Sequence, residues 1–106
     1  TKEYLESAAQ FDGFLGKWIA AYRDAGMLDE TVVIVTSDHG GKGNVHGGPT
    51  LAEMERPLVF AGPGIRRNHE IKTVNASYDI GATIARLLGF KPPRVWTGRF
   101  IDEILE

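Results

Sequence analysis

The stretch TVVIVTSDHGG, residues 31–41, carries the clearest strand pattern of this 106-residue chain. Its first six residues are all β-branched and show no polar alternation, which is typical of a strand that is covered on both faces. Asp38 and His39 follow almost at once, and in open α/β sheets ligands bind at the carboxyl ends of the strands. We therefore expect a functional site at the end of this strand.

The segment before this stretch has the periodicity of a helix. Between residues 4 and 22 apolar side chains recur at steps of three and four residues, which places them on one side of a helix. Gly26 is well placed to end that helix, because glycine adopts the left-handed backbone conformation without a side-chain clash.

The segment after it contains further strand and helix patterns. An apolar run at residues 57–61 predicts a second strand, and residues 71–74 predict a weaker one. Ser77 or Asp79 is predicted to cap a helix that stops at Gly89 and is followed by prolines. This alternation of strands and helices indicates an α/β fold.

The composition is that of one small globular domain spanning residues 1–106, or of a fragment of a larger one. The chain is 42% hydrophobic and 25% charged, and its net charge of −2 provides no basic surface for nucleic acid. The absence of cysteine excludes disulfides, thiolate metal sites and thiol nucleophiles. No apolar run approaches the ~20 residues that are needed to cross a bilayer.

The loop after the first strand contains the candidate metal ligands Asp38, His39 and His46. Neighbouring residues of an extended chain point in opposite directions, so the first two can share an ion only if the chain bends, which the glycines at 40–41 allow. Carboxylate oxygen with imidazole nitrogen suits zinc or manganese, whereas calcium prefers more oxygen ligands. In the alternative, structural interpretation, Asp38 caps the loop and His39 packs over the strand end.

Two glycine motifs that bind phosphates do not fit this loop. The dinucleotide fingerprint needs a glycine at the position of His46, and a P-loop needs serine or threonine at the position of Gly43. Nucleotide binding through either motif is therefore disfavoured.

Other polar residues are interpreted as parts of the surface. Glu53 could orient His46, but a solvated charge is the favoured interpretation. His69 lies in a polar segment after a turn and is interpreted as a surface residue.

Several motifs occur along the chain in a definite order. They are TSDHGG at 36–41, HGG at 46–48, EMERP at 53–57, AGPGI at 61–65, LLG at 87–89 and WTGR at 96–99. Together they resemble the alkaline phosphatase superfamily, in its branch of sulfatases and type I phosphodiesterase–nucleotide pyrophosphatases. The resemblance covers nearly the whole chain and implies the C-terminal part of an αβα sandwich with a mainly parallel sheet.

The resemblance also implies a site with two divalent ions, zinc or manganese. It places Asp38 and His39 on the ion that activates the nucleophile, and His46 on the second ion. In that family the nucleophile and the remaining ligands lie in motifs N-terminal to this region, and residues 1–30 do not match them. We therefore expect a fragment that holds a partial site and is inactive by itself.

The resemblance leaves the choice between phosphate and sulfate esters to one position. Sulfatases usually carry Asp-Asn at this strand end and hold a single calcium, so His39 favours phosphate ester chemistry. The main prediction is the C-terminal portion of a two-metal phosphoric ester hydrolase of the phosphodiesterase or phosphatase type. The alternatives are a sulfatase and a non-catalytic binding module with a relic metal loop.

The expected partners follow from the same resemblance. They are a small phosphate or sulfate ester and the rest of the parent polypeptide, with no nucleic acid and no membrane segment in this chain. A periplasmic or secreted location is implied by the resemblance alone.

Overall fold

The chain folds into helices and strands that alternate along the sequence, which confirms the α/β part of the prediction. The computed structural model describes residues 1–106. In chain order the elements are α1 (Lys2–Asp24), a 3₁₀ helix (Leu28–Glu30), β1 (Val33–Thr36), α2 (Leu51–Met54), β2 (Leu58–Ala61), α3 (Ser77–Leu87) and a second 3₁₀ helix (Asp102–Ile104). None of the helices combines the length and the hydrophobicity that a membrane crossing would require.

Helix α1 is bounded by local signals at both ends. Its first turn begins where the Thr1 hydroxyl accepts a hydrogen bond from the Tyr4 N–H at 3.3 Å. Gly26 has a φ of 70°, and the Met27 N–H reaches back to the Tyr22 carbonyl at 2.9 Å. The predicted helix and its glycine stop are therefore confirmed.

Strands β1 and β2 pair antiparallel, with Val33 opposite Ala61 and Thr36 opposite Leu58. This corrects the prediction of a mainly parallel sheet for the part that the chain itself forms. A parallel pair needs a crossover to the far end of the sheet, whereas here the chain returns directly through a loop that contains only the short helix α2. Strand β1 is also only partly buried, although the sequence predicts a strand that is covered on both faces.

No strand forms at residues 71–74, where the sequence predicts a weak one. The N–H groups of Lys72 and Thr73 donate to the Glu103 carboxylate at 3.0 and 2.7 Å. These donors are therefore satisfied by a side chain, and the segment lies against the C-terminal 3₁₀ helix.

The start of α3 is joined by hydrogen bonds to the C-terminal tail, which comprises residues 99–106. Asp79 accepts from the N–H groups of Ala76 and Arg99, each at 2.7 Å. The Thr83 hydroxyl donates to the Asp79 carbonyl at 2.7 Å and accepts from the Ile101 N–H at 3.1 Å. The prediction that Ser77 or Asp79 caps this helix is confirmed only in part, because Ala76 is the N-cap residue and Asp79 bonds back to it from the third helical position, while its second oxygen fixes the tail.

The hydrophobic core is small and lies beside β2. Ile65, Ile101 and Ile104 are its buried members, and Leu58 and Phe60 of β2 pack against them. The core thus forms between the turn after β2 and the tail, and the loop that follows β1 lies outside it.

Candidate metal-binding site

The loop after β1 is bent by hydrogen bonds between its side chains and backbone. The Thr36 hydroxyl donates to the Pro57 carbonyl at 2.9 Å, which joins the end of β1 to the start of β2. The Ser37 hydroxyl donates to the His39 carbonyl at 3.0 Å, and the His39 N–H donates to Oδ1 of Asp38 at 3.1 Å. This is the bend that Asp38 and His39 need if they are to face the same point.

Asp38 and His39 bring an oxygen and a nitrogen together. Nδ1 of His39 lies 2.7 Å from the Gly40 carbonyl, and because a carbonyl can only accept, Nδ1 carries the hydrogen. In the neutral ring Nε2 therefore has a free lone pair, and it lies 3.3 Å from Oδ2 of Asp38. The Asp38 side chain is 84% exposed and the His39 side chain 40% exposed, so both are accessible.

His46 returns to His39 through a tight turn. Lys42 and Val45 exchange two backbone hydrogen bonds at 3.0 and 3.2 Å, and Gly43 in this turn has a φ of 61°. The turn reverses the chain and stacks the two imidazole rings, with centroids 4.5 Å apart and planes inclined by 3°. The three residues predicted as metal ligands thus lie side by side.

The donor pair formed by Asp38 and His39 fits a divalent cation. Two ligands that are each about 2 Å from a tetrahedral ion lie about 3.3 Å apart, which matches the separation of Oδ2 and Nε2. The chain contains no group of three or more histidine, aspartate or glutamate side chains arranged to hold an ion. A tetrahedral ion needs about four ligands, so an ion at this pair would need further ligands.

Glu53 is part of the same loop, although the sequence favours interpreting it as solvated. Its side chain accepts from the Gly48 N–H at 3.1 Å and from the Thr50 hydroxyl at 2.5 Å, and the residue is only 7% exposed. The hydrogen bond from Thr50 is the main cause that lowers the pKa of Glu53 below its usual value. The pattern Thr-x-x-Glu at 50–53, which is that of a helix capping box, is the signal that could have identified it.

An open cleft runs from the loop along the protein. It has a volume of ≈ 1090 Å³, and its lining includes Asp38 and His39 together with the cationic side chains of Arg56, Lys72 and Arg99. Nε and Nη2 of Arg56 are buried and have no hydrogen-bond partner. Because buried polar groups without partners are costly, these two nitrogens leave part of the hydrogen-bonding capacity of Arg56 unmet in the wall of the cleft. A role for this arginine was not predicted from the sequence, because its lack of partners arises only in the folded chain.

His69 lies away from the loop and is paired. Its Nε2 is 3.1 Å from Oε2 of Glu103, and both side chains are partly buried. Its interpretation as a surface residue without a ligand role is kept, because the structure gives it no contact with Asp38 or His39, but the side chain is paired and not freely solvated.

Comparisons with known proteins place the chain among sulfatase sequences. The family model described as "Sulfatase" matches residues 1–90. Arylsulfatase K of Danio rerio is 36% identical over 91 residues, which cover 81% of this chain and 17% of that protein. Arylsulfatase K of Bos taurus is 34% identical over 100 residues (90% and 18%), and that of Homo sapiens 30% over 100 residues (90% and 19%).

The chain therefore spans less than a fifth of the length of each of these three relatives. No solved structure matches it significantly. The similarities favour the sulfatase alternative over the main prediction of a phosphoric ester hydrolase. That prediction depended on His39 alone, whereas the similarity extends over most of the chain. The metal-binding role of Asp38, His39 and His46 stays a prediction.

Proposed function

This chain belongs to the sulfatase family of the alkaline phosphatase superfamily, and on that premise we propose that the protein to which it contributes hydrolyses sulfate esters with a bound divalent cation. The observation that carries this proposal is the family match over residues 1–90, which includes the end of β1. At that position Asp38 and His39 hold an oxygen and a nitrogen 3.3 Å apart.

In the proposed site Asp38 binds the cation through a carboxylate oxygen and His39 through Nε2, and His46 would be a ligand of a second cation. A divalent cation there would supply charge that stabilises the sulfate oxygens in the transition state. The imidazole nitrogens favour zinc or manganese, as the sequence predicts, whereas calcium would accompany the Asp-Asn pair usual in sulfatases. The remaining ligands and the nucleophile would come from outside residues 1–106.

The lining of the cleft carries three cationic side chains beside four carboxylates, and the cations are the groups that would bind an anionic substrate. Arg56 lines this cleft, and a planar guanidinium can bind two oxygens of a sulfate group at once. Lys72 and Arg99 lie on the lining of the same cleft and form no ion pair within the chain. The substrate ester would lie between these cations and the Asp38–His39 pair.

Family membership also supports placing β1 and β2 in a larger αβα sandwich with a mainly parallel sheet. A structure of the intact protein tests this placement, since it would reveal the strands that flank the antiparallel pair.

The function is tested with Asp38→Asn in the intact protein, assayed with an aryl sulfate and the matching aryl phosphate. Each protein is stripped with a chelator and then supplied with zinc, manganese or calcium. We expect the unaltered protein to prefer the sulfate, and Asp38→Asn to lower kcat/KM by more than about 100-fold, because losing a ligand costs more than losing a residue that merely supports one.

Asp12→Asn is the matched control, because this exposed carboxyl group of α1 lies outside the cleft. A further variant, His39→Asn, creates the Asp-Asn pair, and its preference should move toward calcium if His39 is a ligand. Equal activity of Asp38→Asn and the unaltered protein would refute the site. Faster turnover of the phosphate than of the sulfate would refute the substrate class.

A further inference from the structure

The loop that carries the candidate ligands has two arms, residues 37–41 before the turn at 42–45 and residues 46–50 after it. Glu53 connects these two arms. Its backbone carbonyl accepts from the Gly40 N–H at 2.9 Å, and Gly40 directly follows His39. Its carboxylate accepts from the Gly48 N–H at 3.1 Å and from the Thr50 hydroxyl, just beyond His46. A single residue of the four-residue helix α2 is therefore bonded to both arms.

Both connections are close enough to require glycine on the loop side. At Gly40 a β-carbon would collide with the carbonyl oxygens of Ala52 and Glu55. At Gly48 it would lie 2.6 Å from the Glu53 carboxylate, and this carboxylate is itself held in place. The two arms can approach α2 this closely only because neither residue has a side chain.

The stacked imidazole rings lie between these two connections. His39 precedes one attachment point by one residue and His46 precedes the other by two, so their separation of 4.5 Å depends on both. The rings make no other aromatic contact that would hold them together. Apart from the turn at residues 42–45, the hydrogen bonds to Glu53 are the link between the two arms.

We propose that Glu53 is a positioning residue, which sets the place of His46 against His39 and thereby the affinity of the site for a divalent cation. The statement about affinity rests on the proposed function, whereas the statement about the histidine rings does not. The carboxylate is suited to this role because it accepts two hydrogen bonds at once and is almost fully enclosed, which restricts its rotamers.

The experiment compares Glu53→Ala and Glu53→Gln with Glu55→Ala in the intact protein. Glu55 is the matched control, because it follows in the same segment, is exposed and forms no side-chain hydrogen bond. In the metal-free protein the ring proton signals of His39 and His46 are recorded by NMR, since each stacked ring shifts the signals of the other. Binding of Mn²⁺ is then measured by calorimetry, because this ion accepts both carboxylate and imidazole ligands.

We expect Glu53→Ala to move both histidine signals toward those of an unstacked imidazole and to weaken Mn²⁺ binding about 10–100-fold. Glu53→Gln keeps one acceptor oxygen for Gly48 and should lie between Glu53→Ala and the unaltered protein. Glu55→Ala should change neither measurement. The backbone amide signals of residues outside the loop show whether each variant is folded. If Glu53→Ala does not fold, the comparison is made with Glu53→Gln alone.

Histidine signals that stay in place in both Glu53 variants would overturn the inference. Signals that move without any change in Mn²⁺ affinity would overturn its link to the metal site. The proposed function fails separately, if Mn²⁺ binding to the unaltered protein does not depend on Asp38.

Discussion

Helices α1 and α3 are both predicted by the periodicity of the sequence, but they are held in place by different contacts. Helix α1 is 23 residues long, is capped by its own Thr1 and has no buried residue. Helix α3 is 11 residues long and has three buried residues, including Asp79 and Thr83, which bond to the tail 18–20 residues away.

A periodic pattern therefore identifies the apolar side of a helix, but not whether that side is buried or what covers it. In α1 the pattern places Phe11, Phe14, Trp18 and Tyr22 along one side, and all four are exposed in this chain, Trp18 by 60%. In α3 the buried residues are Asp79, Ala82 and Thr83, whereas Ile84 and Leu88 of its apolar pattern are exposed. The stability of the chain should therefore depend on the region around α3 and only weakly on the aromatic side of α1.

The largest expected effect comes from the core beside α3. Ile101→Ala should lower the free energy of unfolding of the 106-residue chain by about 2–4 kcal/mol, because it leaves a cavity at a residue that is 5% exposed. Trp18→Ala should change it by less than about 0.5 kcal/mol, because the indole is mostly in water already. Urea unfolding followed by circular dichroism measures both.

The intact protein provides the complementary measurement for Trp18. If Trp18→Ala lowers the free energy of unfolding of the intact protein by much more than that of the 106-residue chain, the aromatic side of α1 is covered in the longer protein. Equal costs of the two substitutions in the 106-residue chain would contradict the contrast between the helices.

A smaller effect is expected when the caps of the two helices are compared. Asp79→Asn should cost about 1–3 kcal/mol, because an amide keeps only one oxygen for the N–H groups of Ala76 and Arg99. Thr1→Ala should cost about 0.5 kcal/mol, since its single hydrogen bond is 3.3 Å long and exposed. The same urea titrations give both values.

Hydrogen exchange identifies the cause of each loss. In Asp79→Asn the Arg99 amide should exchange faster, although it lies 20 residues from the substitution. In Thr1→Ala only the first turn of α1 should do so. Unchanged protection of Arg99 would mean that Asp79 does not hold the tail.

The smallest effect should appear as a dependence of stability on pH. The Thr73 side chain and then the N–H groups of Lys72 and Thr73 lower the pKa of Glu103 from its usual 4.5 to about 2. A carboxyl group with a lowered pKa contributes stability above its unfolded pKa and loses that contribution as the pH falls through its folded pKa. The tail beside α3 should thus weaken between about pH 5 and pH 2.

Glu103→Gln tests this dependence in the same chain. At about pH 7 the variant should unfold at a lower midpoint concentration of urea than the unaltered chain. The two midpoint concentrations should converge as the pH approaches about 2. A difference that stays constant over this range would show that ionisation of Glu103 does not stabilise the tail.

More of the candidate site than of the sheet could be predicted from the sequence. Asp38, His39 and His46 were predicted from a short loop, and the structure brings them together because the turn at residues 42–45 is itself local. The antiparallel pairing of β1 with β2 was not predicted, since an apolar run indicates a strand without indicating its partner or its direction.

Features that depend on neighbouring residues could be read from the sequence, namely α1 with its stop at Gly26, the positions of β1 and β2, and the cluster of candidate ligands. Three others arise only in the folded chain: the burial of Glu53, the nitrogens of Arg56 that lack partners, and the anchoring of residues 72–73 to Glu103. The physical reason is the range of the interactions. Helix periodicity, caps and glycine turns act over a few residues, whereas whether a polar side chain is solvated, paired or left unpaired depends on groups that are distant along the chain or that come together only when the chain folds.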